Sequence, residues 1–283
     1  MWGRDKQVEV LTSDADTILV LCGRGWGKNW VGSHWLLDRA QRGHVATAAV
    51  ADTASDVRDD MVDPAAVGDG ILDIGRNKGL KPNHKPSKRR VLLKPGHGQE
   101  ARIQTYSAED PDALRGFSGS AAWLDELAKY SYPREVWNQI NFTLRGGDSQ
   151  LLITTTPRPI PLVRELAEDP NVHVIRGSSH ENEANLDDRF QRKLNELEGT
   201  RLGRQEIHAD ILEDAGDLWD YEDIGHITPE DIPELVRIVI GLDPSVSDAE
   251  GDEAGIVVAG ADAQGTAYVL EDLSGQMTTS KWP

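Results

Sequence analysis

The sequence predicts an α/β protein: a helix-covered parallel sheet, followed by a second, strand-rich unit. Three observations carry that prediction. A fully apolar run, "DTILVLCG" (16–23), passes through a glycine-rich turn into "KNWVGSHWLLDRAQRG" (28–43), which has helical apolar spacing and a closing glycine. Strand and helix patterns then alternate up to residue 212, and such alternation puts helices on the faces of parallel strands. After a polar, proline-containing stretch at 213–235, the pattern restarts with strands alone from 236 to 283. The expected organisation is therefore a first domain over 1–212, a linker over 213–235 and a second unit over 236–283.

Each element has its own local signal. "HVATAAVAD" (44–52) reads as a buried strand, and "TASDVRDDMVD" (53–63) as a helix capped by Thr53 or Ser55. "RRVLLK" and "ARIQTY" flank "PGHGQE" as a hairpin. "SAAWLDELAKY" (120–130) is a strand running into a turn, "PREVWNQINFTLRGG" a helix opened by proline and closed by glycine, and "QLLITTTPRP" a further strand. A helical stretch, "NLDDRFQRKLNELEGTRLGRQEIHADIL", completes the first domain. In the second, "LVRIVIGLDPS" and "GIVVAGADAQGTAYVLEDLS" form a meander that turns at "DAQG".

Composition narrows the function classes. A formal charge of −18 argues against a chain that coats nucleic acid nonspecifically, because such binding needs clustered Lys and Arg. The one strong reversal runs from Arg76 to Lys94, with eight basic residues and no acidic one, and is the local candidate for contact with a phosphate backbone. A single cysteine, Cys22, excludes a disulfide framework and a cysteine-cluster metal site. The N-terminus lacks the apolar core of a signal peptide and no apolar run approaches the roughly 20 residues of a membrane span, so the expected setting is intracellular, without a membrane.

The glycine-rich turn has the chemistry of a phosphate loop. Its glycines let backbone N–H groups curl around phosphate oxygens, a lysine neutralises the β/γ charge, and a hydroxyl normally binds Mg²⁺. Gly23, Arg24, Gly25, Trp26, Gly27, Lys28 and Asn29 form the candidate nucleotide loop, with Cys22 where a first glycine is usual and Asn29 where the hydroxyl is usual. An amide oxygen still suits a hard cation. Trp26 either stacks near the nucleotide or packs against the adjacent helix, and packing is the expectation. "AAWLDE" ends a strand in Asp125 and Glu126, a pair in which the first acid holds Mg²⁺ and the second polarises an attacking water. "ITTTP" ends another strand in hydroxyls, and Thr155 or Thr156 is placed to sense the γ-phosphate.

The ordered set "CGRGWGKNW", "SAEDPDALRGFSGSAAWLDELAKY", "NFTLRGGDSQLLITTTPRPIPLVREL", "EGTRLGRQEIHADILED" and "IGLDPSVSDAEGDEAGIVVAGADAQGTAYVLED" resembles the large terminase subunit of tailed viruses, in the branch that includes gene transfer agents. The resemblance implies a P-loop ATPase of the additional-strand, conserved-glutamate type, followed by the first strands of a ribonuclease H-like nuclease. It implies ATP-driven packaging of double-stranded DNA into preformed capsids in the host cell cytoplasm, by a protein not expected in the mature particle. ATP and Mg²⁺ are the implied ligands, with a second divalent site for Mg²⁺ or Mn²⁺ in the complete nuclease. The implied partners are double-stranded DNA, portal protein, small terminase subunit and further copies of the chain in a ring, the isolated chain being a monomer.

Carried over residue by residue, the resemblance makes Lys28 and its loop the ATP site, Asp125 and Glu126 the Walker B acid and catalytic glutamate, and Thr154 to Thr156 the coupling motif. Arg24 matches a loop arginine on the γ-phosphate, and Arg115 matches a finger acting on a neighbouring subunit. Asp243 matches the first nuclease metal ligand, while the family's remaining acids fall farther along than residue 283. Asp248, Asp252, Glu271 and Asp272 read as surface or turn residues, so competent DNA cleavage is not expected. Two other readings stand beside this one: a terminase-like binding module without catalysis, and another P-loop nucleic-acid ATPase such as a helicase.

Overall fold

The computed structural model describes residues 3–64, 68–96, 99–146, 148–212, 225, 227–243 and 254–275. It divides into two compact units, Met1–Ala215 and Gly216–Pro283. Residues 213–224 and 226 of the expected linker, together with Asp248 and Asp252, lie outside the described residues.

The first unit opens with helix α1 (Asp5–Thr12), strand β1 (Thr17–Cys22) and helix α2 (Lys28–Gln41), then β2 (Ala46–Ala51). Helix α3 (Ala54–Asp56), capped by the Thr53 hydroxyl, continues as a π-helical turn over Val57–Val62, so the expected helix there is real but widened. Next come α4 (Ile71–Asn77), β3 (Asn83–Lys85), β4 (Arg90–Leu93), β5 (Ala101–Ser107) and β6 (Ala121–Asp125). Helix α5 (Pro133–Thr143), β7 (Gln150–Thr155), α6 (Pro161–Glu168) and β8 (Val172–Gly177) follow. The expected helical stretch after residue 185 is two helices, α7 (Asp188–Leu197) and α8 (Arg201–Glu206), separated where Gly199 takes φ +76°.

Eight strands form one sheet in the order β3-β4-β5-β2-β6-β7-β1-β8. Six of them pair in parallel, as the alternation predicts; β4 alone runs against the others, antiparallel to both β3 and β5, because a hairpin joins β4 to β5, and this makes the sheet mixed. Strand β7 lies between β1 and β6, pairing Val20 with Thr154 on one side and Asp125 with Thr154 on the other. That inserted strand fits the additional-strand type implied by the resemblance, and it brings the ends of β1, β7 and β6 side by side.

Both faces of this sheet are covered, which is why its central strands are apolar without alternation. Ile18 and Val20 of β1 join one buried cluster with Trp35, Leu36 and Trp123, while Leu19 and Leu21 join the other with Leu124, Val136 and Ile140. Helix α2 passes so close to β6 that a Cβ on Gly32 would lie 2.1 Å from the Trp123 ring.

The second unit's described strands are β9 (Leu235–Asp243), β10 (Gly255–Asp262) and β11 (Ala267–Asp272), an antiparallel meander in the order β11-β10-β9. The turn falls at "DAQG", where Asp262 accepts the Gln264 and Thr266 N–H groups, each at 2.9 Å.

Candidate active site

The glycine loop is shaped by its backbone. Gly27 has φ +95° and immediately precedes α2, a left-handed position that a side chain would strain. The loop opens onto a cavity of about 750 Å³ whose walls include Arg24, Gly25, Lys28, Asn29 and Glu126. Residues that local patterns did not reveal complete it: Arg4 and Gln7 from the N-terminus, Asp69, and Asn182, Asn185 and Phe190 from the segment before and within α7. They are distant in sequence, and the capping contacts of α1 and amphipathic spacing of α7 are the available signals.

Lys28 is buried at the centre of the site. Its Nζ donates to the carbonyl of Cys22 at 3.1 Å and to Thr156 Oγ1 at 2.8 Å, and pairs with Glu126 Oε1 at 3.3 Å. Glu126 Oε2 also accepts the Thr156 N–H at 3.1 Å. Burial opposes ionisation of Glu126, but Lys28 and the Thr156 amide outweigh it and hold this carboxyl below its usual range. The glutamate has left-handed backbone geometry, φ 55° and ψ 46°, where a non-glycine residue stores strain, and its N–H donates to Thr154 O at 2.6 Å.

The three threonines divide the work of β7. Thr154 Oγ1 accepts from the Trp123 indole at 2.7 Å and donates to Asp125 Oδ1 at 2.6 Å, fixing the buried acid from behind. Thr155 Oγ1 accepts the Ala128 N–H at 3.1 Å and holds the short helix after Glu126. Thr156 reaches Lys28 and Glu126. Burial, followed by the neighbouring Glu126 charge, pushes Asp125 up to about 7. A buried carboxylate of this kind suits a divalent cation, whose charge offsets the desolvation. Asn29 spends its amide nitrogen on the Asp60 carbonyl at 3.4 Å, which makes its oxygen the atom available to such a cation.

Other expected residues sit differently. The Trp26 indole is fully buried, donating to Glu181 Oε2 at 2.9 Å beneath the Arg4 guanidinium; it packs the loop, as its size and burial favour, while the residue also contributes to the cavity wall. Arg24 is exposed on the cavity wall with its guanidinium paired to Glu206. Arg115 lies outside the cavity lining, exposed and paired with Asp112 at 3.0 Å. Cys22 is buried, and burial raises its thiol to about 12, so it acts as a small apolar residue.

Asp243 ends β9 opposite Gly255, and Asp272 lies opposite Val257, on the same face of the meander but two strands away. Strand spacing alone puts their backbones about 10 Å apart. Glu271 falls on the opposite face, and Asp272 accepts the Ser274 N–H at 2.9 Å as a turn residue.

A family model for the terminase large subunit, T4-like-virus type, N-terminal, matches residues 19–226. The large terminase of a thermophilic bacteriophage, in complex with ADP, has a similar fold, with TM-score 0.63 and 16% identity over 96% of this chain and 68% of that one. The large terminase ATPase domain of Thermus phage P74-26 gives TM-score 0.56 and 16% identity over 74% of this chain and 94% of that one. No curated protein matches the chain by sequence.

Proposed function

We propose, because the chain belongs to the T4-like-virus-type family of large terminase subunits, the ATP-driven motors of viral DNA packaging, that the cavity beside the glycine loop binds and hydrolyses ATP. The observation that carries this reading is the meeting of three motifs at one ammonium group. Lys28 Nζ touches Glu126 and Thr156, the latter 128 residues away in sequence.

The geometry supports a sequence of events. Loop amides and Lys28 receive the phosphates, and the triphosphate competes with Glu126 for the lysine. Once released, the Glu126 carboxylate accepts the proton of an attacking water. Asn29 and Asp125 would hold Mg²⁺, which when bound supplies positive charge to the phosphate oxygens. Loss of the Lys28–Thr156 contact changes the load on β7, which also holds Asp125 and the turn after Glu126. That strand is the route by which hydrolysis would be coupled to DNA movement.

Arg115, exposed and outside the cavity, suits a finger acting on a neighbouring copy in a ring; Arg24 would have to leave Glu206 to reach the γ-phosphate. For DNA contact, Lys81, Lys85, Lys88, Arg89 and Lys94 stand exposed at the β3/β4 edge of the sheet, without ion pairs among the described residues. Asp243 would contribute to a second divalent site in a complete nuclease. Portal protein and small terminase subunit are the proposed partners in the host cytoplasm. Among the described residues no helix is long and apolar enough to cross a membrane.

The test is Mg²⁺-dependent ATP hydrolysis against protein concentration. Turnover per subunit should rise as copies associate and vanish in Glu126→Ala. Hydrolysis that begins only with Asn29→Thr would overturn the catalytic reading and leave a binding module.

A further inference from the structure

A second constellation lies on the segment that packs against the glycine loop. His180 belongs to the 3₁₀ helix Ser179–Asn185, Glu198 caps the end of α7, and His208 follows α8. The Glu198 carboxylate faces both imidazoles: Oε2 lies 3.0 Å from His180 Nε2, and Oε1 lies 2.7 Å from His208 Nε2. All three potential ligand atoms fall within 4.8 Å of one another. The side chains are 33%, 46% and 36% exposed, so an ion can reach them.

We propose that His180, Glu198 and His208 form a binding site for a divalent transition-metal ion of the zinc class. Tetrahedral zinc with bonds of about 2.0–2.1 Å holds its ligands about 3.3 Å apart, so shifts of about 1 Å convert the present arrangement into a coordination shell. Two imidazoles and one carboxylate select zinc, cobalt or nickel over Mg²⁺ and Ca²⁺, which prefer all-oxygen shells. The fourth position is left to water. Each imidazole binds through the Nε2 lone pair after its proton moves to Nδ1, and the Nδ1 of His180 already faces Glu183 Oε2 at 3.9 Å. Closing that gap to hydrogen-bond distance would let the carboxylate fix the ligating tautomer of His180 and raise its basicity.

The site is distinct from the nucleotide cavity, but it ties together the residues that flank that cavity. Ser179 N donates to Ile207 O at 2.9 Å, Arg24 N to Glu206 O at 2.8 Å, and Asn182 Nδ2 to Gly25 O at 2.6 Å. An ion joining His180, Glu198 and His208 fixes all three contributing segments, and with them the wall of the loop.

The experiment uses the full chain, stripped by a chelator and titrated with zinc chloride, with calorimetry and metal content as readouts. One zinc per chain is expected, with Kd about 1 µM or tighter. At 100 times Kd, zinc should raise the first unit's Tm by about 5–10 °C. The double variant His180→Ala/His208→Ala should bind at least 100-fold more weakly, and Glu198→Gln, which keeps the side-chain shape, at least 10-fold more weakly. His84→Ala should bind as the wild type does. Absence of stoichiometric binding at 100 µM zinc, unchanged affinity in either ligand variant, or displacement of zinc by millimolar Mg²⁺ overturns the proposal.

Discussion

Asp125 and Asp243 both end apolar strands, one after "AAWL" and the other after "RIVIGL", yet their surroundings share almost nothing. Asp125 ends an interior strand of an eight-stranded sheet, buried, with the Thr154 hydroxyl on one oxygen and Trp123 behind that threonine. Asp243 ends an edge strand of a three-stranded meander and is exposed. Strand β9 shows solvent a continuous apolar stripe of Val236, Ile238, Ile240 and Leu242. A strand-end aspartate therefore becomes a perturbed chemical group through the layers that cover it and the hydroxyls that fix it.

The largest expected effect contrasts the two regions directly. Glu126→Gln should lower ATP turnover by about 10³-fold while nucleotide binding persists, because the carboxylate would act on the water rather than on the phosphates. Asp243→Asn should leave turnover within about twofold, since charge removal at an exposed site seldom propagates. Steady-state hydrolysis and ADP titrations on both variants check the pair, and comparable losses would abolish the distinction.

Thr154→Val tests how Asp125 is fixed. The variant leaves the Trp123 N–H and the carboxylate without their shared partner, at a cost of about 1–3 kcal/mol in a covered core. Denaturant unfolding should report that loss, and the Mg²⁺ concentration for half-maximal turnover should rise. Unchanged stability would mean that the hydroxyl chain contributes nothing to the site.

The loop chemistry, the acid pair and the apolar strands were legible in sequence because each is a local pattern of types and spacing. The order of the strands was not: placing β7 between β1 and β6 is a crossover decided by three-dimensional packing, and it alone lets Thr154 hold Asp125. Arg4, Gln7 and Asn182 reach the cavity from remote segments whose sequence signals helix or turn rather than ligand binding. Trp26 was half legible; its place in the loop was plain, while its inward direction depends on Glu181 and Arg4. The zinc-class cluster escaped for the same reason, since His180, Glu198 and His208 occupy unrelated local patterns.

pH offers a finer test. Asp125 titrates above its ordinary range in the folded protein, to about 7, so the native state binds more protons than the unfolded chain between pH 4 and 7. Its contribution to stability is present at low pH and is lost as pH rises through about 7. Without Mg²⁺, Asp125→Asn should thus gain Tm on wild type as pH goes from 5 to 8, by roughly 5 °C. The wild type's Mg²⁺ affinity should rise over the same interval, as cation and proton compete for one carboxyl. Parallel melting curves for the two proteins would place the burden of burial elsewhere.

The smallest effect is expected in the meander. Ile240 is 68% exposed on the apolar face of β9, so replacing it with threonine removes little buried area and keeps β-branching suited to a strand. Stability should change by less than about 0.5 kcal/mol, the range of surface substitutions. Ile153, fully buried in β7 between the loop strand and the acid strand, has no such freedom; a hydroxyl there lacks water and must find a partner in an apolar cluster. Denaturation of Ile240→Thr beside Ile153→Thr measures the contrast without any nucleotide. If the exposed substitution proves as costly as the buried one, the β9 face is covered by a further layer, and the environment of Asp243 is closer to that of Asp125 than the exposed strand implies.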